Sequence, residues 1–170
     1  IIGSWDPNEI LVKPVGITDN HYISNEEILE YQINFQNTGT DTAFRVVIRD
    51  TLYQNTLLND TTVNLLNITS IESGVSSHPY TFRIYGRGIL EWTFDNILLP
   101  DSNINEPASH GFVKFKVNQR LNNPKGERIE NSAAIVFDYN EPINTNQVFN
   151  IIYDTTLISF TKPLVHNNLI

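Results

Sequence analysis

The strongest constraint on the fold is the stretch from Glu27 to Asp50, EILEYQINFQNTGTDTAFRVVIRD. Its first half alternates an apolar face with a polar one, and the apolar positions are Leu29, Tyr31, Ile33 and Phe35. Its second half repeats this period with Phe44, Val46 and Ile48. A two-residue period is typical of a β-strand with one buried face. The segment between the halves, Asn37–Asp41, contains Gly39 and other turn-forming residues, so the stretch predicts a β-hairpin.

Similar patterns recur along the chain, and together they predict an all-β fold. A second hairpin is predicted from Tyr80 to Phe94, turning at Gly86-Arg87-Gly88. Other strands are predicted at residues 9–13, 22–23, 62–68, 113–117, 129–137 and 149–153, with loops at 70–79 and 95–109. No stretch keeps a helical period, so helix should be scarce. The prediction is an immunoglobulin-like two-sheet antiparallel β-sandwich, with an up-and-down barrel as the alternative. Its core should include Tyr31, Phe35, Val46, Trp92, Phe115 and Phe137.

Length and charge narrow the classes of function. The 170 residues suit one sandwich domain, predicted at 1–160, followed by an exit linker or tail at 161–170. A net charge of −8 disfavours nucleic acid, because phosphate binding needs a basic face. The chain has no cysteine and therefore no disulfide framework. No apolar run is long enough for membrane insertion, and a start without Met suggests a piece of a longer protein.

The sequence gives little support for a catalytic site. His78 and His110 each follow a serine, but neighbouring side chains in an extended chain should point apart, so no catalytic residue is predicted. A Lys–Asn isopeptide bond between Lys13 and Asn131 would require a buried acid between them, and no acid is singled out by the sequence. The simpler interpretation is that Asn131 satisfies a backbone group in the core.

Calcium is the best-supported site from the sequence, because hard cations bind closely spaced carboxylate and amide oxygens. One predicted site combines residues from both ends of the chain: Asp6, Asn8, Asp138 and Asn140. A weaker alternative uses alternate residues of one loop: Asp101, Asn103 and Asn105. That loop lacks the glycine and distal glutamate of an EF-hand. Turn formation by Asp and Asn is the alternative explanation for both.

Several motifs resemble one known family. They are GSWDPN at 3–8, YQINFQNTGTDT at 31–42, IRDTL at 48–52, LLPDSNINEPASHGFV at 98–113, and residues 129–146 with the ending FDYNEPINTN. Together they resemble uncharacterised β-sandwich domains in secreted proteins of the Bacteroidota, which lie next to the C-terminal sorting domains of type IX secretion. The resemblance implies an extracellular or outer-membrane surface location and a structural or adhesive role. The resemblance also implies that the type IX secretion machinery is a partner.

Four Asp-Thr motifs are similar to the three-residue O-glycosylation signal of the same phylum. The acceptors would be Thr42, Thr51, Thr61 and Thr155. Because a glycan cannot be buried, each acceptor should face solvent.

The function predicted from the residues and the resemblance is a non-catalytic stalk, spacer or assembly module, whose partners are neighbouring domains of the same polypeptide or surface assembly. One alternative is an adhesin or carbohydrate-binding module, with a platform of exposed aromatics drawn from Trp5, Tyr53, Tyr85 and Tyr139. Another is a surface filament subunit whose edge strand or tail, Thr161 to Ile170, pairs with a neighbour.

Overall fold

The computed structural model describes residues 7–52 and 65–154, and this part of the chain is almost entirely β-structure. Its strands are β1 (Glu9–Lys13), β2 (Tyr22–Ile23), β3 (Ile28–Gln36), β4 (Ala43–Thr51), β5 (Leu66–Ser76), β6 (Thr81–Tyr85), β7 (Ile89–Leu99), β8 (His110–Gln119), β9 (Arg128–Asn131), β10 (Ala133–Phe137), β11 (Ile143–Asn144) and β12 (Val148–Ile152). The helical structure described is one turn of α-helix, α1 (Ser102–Asn105), and a 3-10 turn (Glu106–Ala108). Over these ranges no helix is long and apolar enough to cross a membrane.

The strands form two large antiparallel sheets and a small third sheet. The four-stranded sheet has the order β1-β3-β8-β5, and the five-stranded sheet has the order β11-β10-β4-β7-β6. The small sheet has the order β2-β12-β9. The chain passes from it directly into the five-stranded sheet, because only Ser132 separates β9 from β10. The all-β, immunoglobulin-like sandwich class is therefore confirmed. The predicted single strand at 129–137 is instead divided at Ser132 between two sheets.

The stretch from Glu27 to Asp50 contains two strands, as predicted, but it is not a hairpin. β3 pairs with β1 and β8, whereas β4 pairs with β10 and β7. The connection therefore carries the chain from one sheet to the other. It is held by Asn37, whose amide donates to the backbone oxygens of Asp41 at 2.8 Å and Leu99 at 3.0 Å. Alternation shows that a strand has one buried face, but it does not identify the strand's hydrogen-bonding neighbour.

The second predicted hairpin is confirmed. β6 and β7 pair antiparallel up to Tyr85 opposite Ile89, around the turn at Gly86-Arg87-Gly88. Gly86 and Gly88 have φ values of 58° and 92°, which side chains rarely tolerate. The prediction of a loop at 70–79 is wrong, because β5 continues to Ser76. Its pairing with β8 is interrupted by register shifts, which obscure the period in the sequence.

All six predicted core residues are buried. Trp92 lies at the centre of an aromatic cluster, with ring centroids 4.9 Å from Phe115 and 5.0 Å from Phe82. Phe35 belongs to a second group of rings, with its centroid 5.4 Å from that of Phe94. These aromatic rings come from both large sheets, so they form the layer between them. Phe44 does not join them and is 60% exposed, because the register of β4 shifts between Ala43 and Arg45.

The described chain begins and ends at opposite ends of the sandwich. At one end, the Asn8 side chain accepts a hydrogen bond from the backbone of Gln36, where β3 finishes (3.3 Å). At the other end, the backbone N–H of Tyr153 donates to the oxygen of Ile23 at 2.8 Å. That second end is where β3 starts, since Gln119 bonds both the Ser24 and the Glu27 oxygens there. A nine-residue strand such as β3 spans about 27 Å.

Candidate functional sites

A buried acid–amide pair lies between β4 and β9. Asp50 is fully buried, and its Oδ2 accepts a hydrogen bond from Asn131 Nδ2 at 2.9 Å. Asp50 Oδ1 is also buried and has no hydrogen-bond partner among the described residues. The Asn131 oxygen accepts from the backbone N–H of Ser132 at 3.0 Å, so this amide does satisfy a backbone group. Asn131 thus bonds a backbone group as predicted, but that group belongs to its exposed neighbour Ser132, and its partner in the core is a carboxyl group that sequence reasoning missed.

Burial is the largest influence on the pKa of Asp50. It raises the pKa of Asp50 from its ordinary 3.8 to about 7, although the hydrogen bond from Asn131 acts in the opposite direction. Burial, with the nearby Asp50 carboxylate as a second cause, raises the pKa of the Tyr31 hydroxyl well above its usual range. Tyr31 is therefore neutral at physiological pH, and Asp50 changes its charge close to pH 7.

The structure supplies the buried acid that an isopeptide bond at Asn131 requires, but it does not bring Lys13 to that site. Asp50 is the buried acid beside Asn131 that the sequence did not single out. Lys13, however, is exposed on β1, and no lysine is buried in the ranges that the structure describes. A cross-link from Lys13 to the core amide therefore has no support in this geometry.

The loop at 101–105 uses most of its predicted calcium ligands as helix caps. Asp101 Oδ1 accepts from the backbone N–H groups of Asn103 at 3.0 Å and Ile104 at 3.2 Å. The Asn105 side chain likewise accepts from Ala108 at 3.3 Å. Asp101 is only 1% exposed, and its Oδ2 is buried without a hydrogen-bond partner among the described residues. One oxygen of this loop is thus left for a cation or a water molecule.

The other predicted calcium set is only partly described, since Asp6 lies outside the described residues. Asn8 and Asp138 lie at the same end of the sandwich but contact different sheets. Asp138 Oδ1 accepts from the backbone N–H groups of Phe44 and Arg45, both at 2.8 Å, and so fixes the start of β4. Asn140 donates its backbone N–H to Phe137 in a turn. No group of three or more His, Asp or Glu side chains suited to a metal occurs at 7–52 or 65–154, and calcium stays a prediction.

The predicted glycosylation acceptors differ in exposure. Thr51 is exposed at the end of β4, as a modified residue must be, whereas Thr42 is partly buried. Thr61 and Thr155 lie outside the described residues. O-glycosylation stays a prediction.

One of the two serine–histidine pairs is arranged differently from the prediction. Ser77 Oγ and His78 Nδ1 are 2.8 Å apart, so the expectation that these neighbours point apart is wrong. No carboxylate in the described part of the chain is hydrogen-bonded to His78, so a Ser–His–acid triad is not assembled there. The other histidine, His110, contacts the carboxylate of Glu106 at 2.7 Å.

A second acid whose burial the sequence does not reveal is Glu91, which is 3% exposed on the outer side of β7. Its carboxylate accepts from Arg49 Nε and Arg83 Nε, both at 2.7 Å, and from the Tyr85 hydroxyl at 3.0 Å. Burial alone would raise the pKa of Glu91, but these hydrogen bonds outweigh it and hold the pKa below its usual range. Arg49 lies opposite Glu91 in the β4–β7 register, a pairing that could have been found only once the strand order was known.

The predicted aromatic platform is not assembled among the described residues. Tyr85 already contacts two side chains. Its hydroxyl donates to Glu91, and the guanidinium of Arg83 lies 4.6 Å from the centroid of the Tyr85 ring. Tyr139 is 99% exposed in the turn after β10. Trp5 and Tyr53 lie outside the described residues.

A groove with polar side chains and apolar surface lies on the outer face of the four-stranded sheet, with a volume of about 740 Å³. Three amide side chains of β3 line it: Gln32, Asn34 and Gln36. Its other lining residues include Ser77, Glu106, His110 and Phe112.

Two asparagines after β11 connect the two terminal strands. Asn146 Oδ1 accepts from the backbone N–H of Ile10 at 2.8 Å, and its Nδ2 donates to the oxygen of the same residue at 3.1 Å. Asn150 is 1% exposed and directs its Nδ2 toward the oxygens of Pro14, Val15 and His21 at 3.2 to 3.4 Å. We call this pair of side chains the terminal tie.

The whole sandwich just described corresponds to one family model. The model, "Domain of unknown function (DUF7619)", matches residues 6–151. The chain belongs to this family. The DUF7619 match extends from the residue before the described part to the penultimate residue of β12, and so includes the terminal tie. No curated protein matches the chain.

Solved structures with a similar fold include bacterial surface proteins. The C-terminal domain of the Streptococcus agalactiae AgI/II polypeptide BspA has a TM-score of 0.58 at 12% identity over 86% of the DUF7619 chain. The N-terminal domain of the Streptococcus gordonii adhesin Sgo0707 has a TM-score of 0.56 at 14% identity over 86% of the chain. BcpA, the major pilin subunit of Bacillus cereus, has a TM-score of 0.54 at 17% identity over 85% of the chain.

The DUF7619 chain covers only part of each of these structures: 49% of the BspA domain, 32% of the Sgo0707 domain and 39% of BcpA. At such low identities the similarity shows the fold.

Proposed function

We propose that this DUF7619 domain is a non-catalytic spacer of a secreted or cell-surface protein, which holds neighbouring domains apart and transmits tension between them. The observation that carries the proposal is the placement of Asn8 and Tyr153, near the two ends of the described chain, at opposite ends of the sandwich. A domain connected in this way adds its own length to a multidomain chain. β3 alone contributes about 27 Å of that length.

The terminal strands are arranged to resist a pull along that axis. β1 and β12 both run from the Asn8 end toward the Tyr153 end, and the terminal tie joins them side by side. The hydrogen bonds between strands lie perpendicular to the strands. A force along β1 therefore loads the bonds of its ladder with β3 together instead of one at a time, and the terminal tie adds side-chain bonds to the same strand. Resistance of this kind is governed by the unfolding rate.

The proposed location is the cell exterior. Its support is the fold shared with adhesin and pilin domains and the motif resemblance to Bacteroidota proteins exported by type IX secretion. In that setting the sorting machinery and the adjoining domains of the same polypeptide are the proposed partners. The exposure of Thr51 supports it as an O-glycosylation acceptor.

We also propose that calcium binds at the loop containing α1, where the support is the buried Asp101 Oδ2 that lacks a hydrogen-bond partner among the described residues. A cation there would pair with this oxygen and stabilise the connection between β7 and β8.

A replacement experiment tests the spacer proposal. In the native host, the domain is deleted or replaced by an unrelated β-sandwich of similar length, and surface display and reach of the preceding domain are measured by antibody labelling. The proposal expects deletion to shorten the reach and replacement to restore it. Loss of display or of the host protein's activity in the replaced protein would contradict a spacer role.

Single-molecule force spectroscopy tests the mechanical part. A tandem array is pulled through its termini, and Asn146→Ala should lower the unfolding force by removing both bonds to Ile10. Gln147→Ala is the matched control, because within the described part of the chain this exposed amide makes one contact of 3.3 Å, to the side chain of Glu130, and none to β1. An unchanged unfolding force in Asn146→Ala, or an equal loss in the control, would refute the role of the terminal tie.

A further inference from the structure

The groove on the four-stranded sheet has a regular arrangement set by strand register. In the β3–β8 pairing, Gln36 lies opposite His110 and Asn34 lies opposite Phe112. The amides of β3 therefore form a row of hydrogen-bonding groups beside the half-buried ring of Phe112. Directly opposite residues in an antiparallel pair lie close enough to contact the same small ligand.

The amides of this row are held in fixed orientations before any ligand binds. Gln32 Nε2 donates to Asn34 Oδ1 at 2.7 Å, and Asn34 Nδ2 donates to Glu9 at 2.8 Å. Gln36 Nε2 donates to Ser109 Oγ at 2.9 Å and lies 3.2 Å from His110 Nε2. An amide has two donor hydrogens and an acceptor oxygen with two lone pairs, so these contacts use only part of its capacity. Preorganisation of this kind lowers the entropic cost of binding.

The chemistry of the groove matches a neutral, hydroxyl-rich ligand. Its row of side chains is uncharged, and each amide can both accept from and donate to a hydroxyl group. Phe112 supplies an apolar surface for the C–H face of a sugar ring. One carboxylate lines the groove, Glu106 on His110, and a second, Glu9, contacts Asn34 beside it. They face one nearby ammonium, Lys114, which lies 5.8 Å from the Phe112 ring centroid. This balance disfavours a polyanion.

We propose that this groove is a binding site for a neutral oligosaccharide, with Gln32, Asn34 and Gln36 as its hydrogen-bonding row and Phe112 as its stacking surface. This function goes beyond the spacer role and does not depend on it. The site would let the domain contact a neutral glycan on a neighbouring cell or on its own surface while it separates other domains.

NMR tests the proposal directly, because the side-chain NH₂ groups of these residues give their own signals in a ¹⁵N-labelled protein. The full chain is titrated with chitotetraose, cellotetraose and mannotetraose, with a heparin tetrasaccharide and an uncharged extended peptide as alternatives. The expected result is that at least one neutral tetrasaccharide shifts the side-chain signals of Gln32, Asn34 and Gln36, with a Kd of about 1 mM or tighter. The side-chain signals of Asn103 and Gln147, which are outside the groove lining, should not move.

Variants assign the binding to the groove. Phe112→Ala and Gln36→Ala should each weaken the best tetrasaccharide about tenfold. Phe44→Ala is the matched control, since Phe44 is an exposed phenylalanine on the opposite sheet and its loss should leave the Kd unchanged. Backbone amide spectra check that each variant is folded. The proposal is overturned if no neutral tetrasaccharide shifts the groove at about 10 mM, if only heparin or the peptide does, or if Phe44→Ala weakens binding as much as Phe112→Ala.

Discussion

The buried carboxyl group of Asp50 should make the domain less stable as pH rises toward neutrality. Its pKa is raised from 3.8 in an exposed chain to about 7 in the fold. Between these two pH values the folded state holds a proton that the unfolded state has released, so the free energy of unfolding falls with increasing pH. Each tenfold difference in proton affinity corresponds to about 1.4 kcal/mol. The raised pKa therefore implies a loss of about 4 kcal/mol, fully present above about pH 7.

The perturbation that isolates this effect is Asp50→Asn. The amide keeps the shape of the carboxyl group and an oxygen for Asn131, but it has no proton to lose. Urea denaturation is measured from about pH 4 to pH 8 for both proteins. With a typical m of about 2 kcal/mol per molar urea, the wild-type midpoint should fall by about 2 M over this range, and the variant midpoint should hardly change.

Glu91 provides an internal contrast, because its pKa is lowered and its stabilisation is lost only as pH falls below its ordinary range near 4.5. The two acids thus act in different pH windows. A wild-type midpoint that is flat or rises between about pH 4 and pH 7, or a variant with the same slope as wild type, would refute the assignment to Asp50.

Four further predictions concern the packing of Trp92 and Gly111, the loop at Asp101 and the acceptor Thr51. Trp92→Ala should lower the free energy of unfolding by about 3 to 5 kcal/mol in the same denaturation assay, because it empties the centre of the aromatic layer; near-wild-type stability would contradict that position. Gly111→Ala should cost about 1 to 3 kcal/mol, since a methyl group there would collide with the Phe35 ring, and a neutral change would show that the ring moves freely. If calcium binds at Asp101, a chelator should lower the melting temperature of wild type but not of Asp101→Asn, and an unchanged wild-type melting temperature would remove the calcium prediction. Intact mass of protein from the native source should show added glycan mass that Thr51→Ala removes. A bare mass would remove the glycosylation prediction.

The sequence predicted the strands and the core well because both depend on local patterning. The bounds of β1 agree with the predicted strand at 9–13, and Trp92 and Phe115 lie in the predicted core. The pairing of β3 and β4 was predicted wrongly, since two strands with buried faces satisfy the same alternation whether they share a sheet or face each other across a core.

The polar sites were harder to predict because they depend on residues that are distant in the chain. Asp50 follows Val46 and Ile48 at the inward-facing parity of β4, which was a visible signal of a buried acid. Its partner Asn131 is 81 positions away and becomes identifiable only in three dimensions. The groove likewise lies across β3 and β8, and the register of these two strands cannot be read from the sequence. Asp138 resembled a metal ligand because the same oxygens that bind cations also bind backbone N–H groups.

The terminal tie also determines when the sandwich can be completed during synthesis or export. Asn146 bonds to Ile10, and Asn150 reaches Pro14, each across 136 positions of the chain. Contacts of such long range make folding slow, because a large loop must close before they form. A chain that emerges with its N-terminus first therefore carries β1 without its final neighbour until almost the last strand is delivered. Until then β1 is held by its ladder with β3, and the terminal tie forms when β12 arrives.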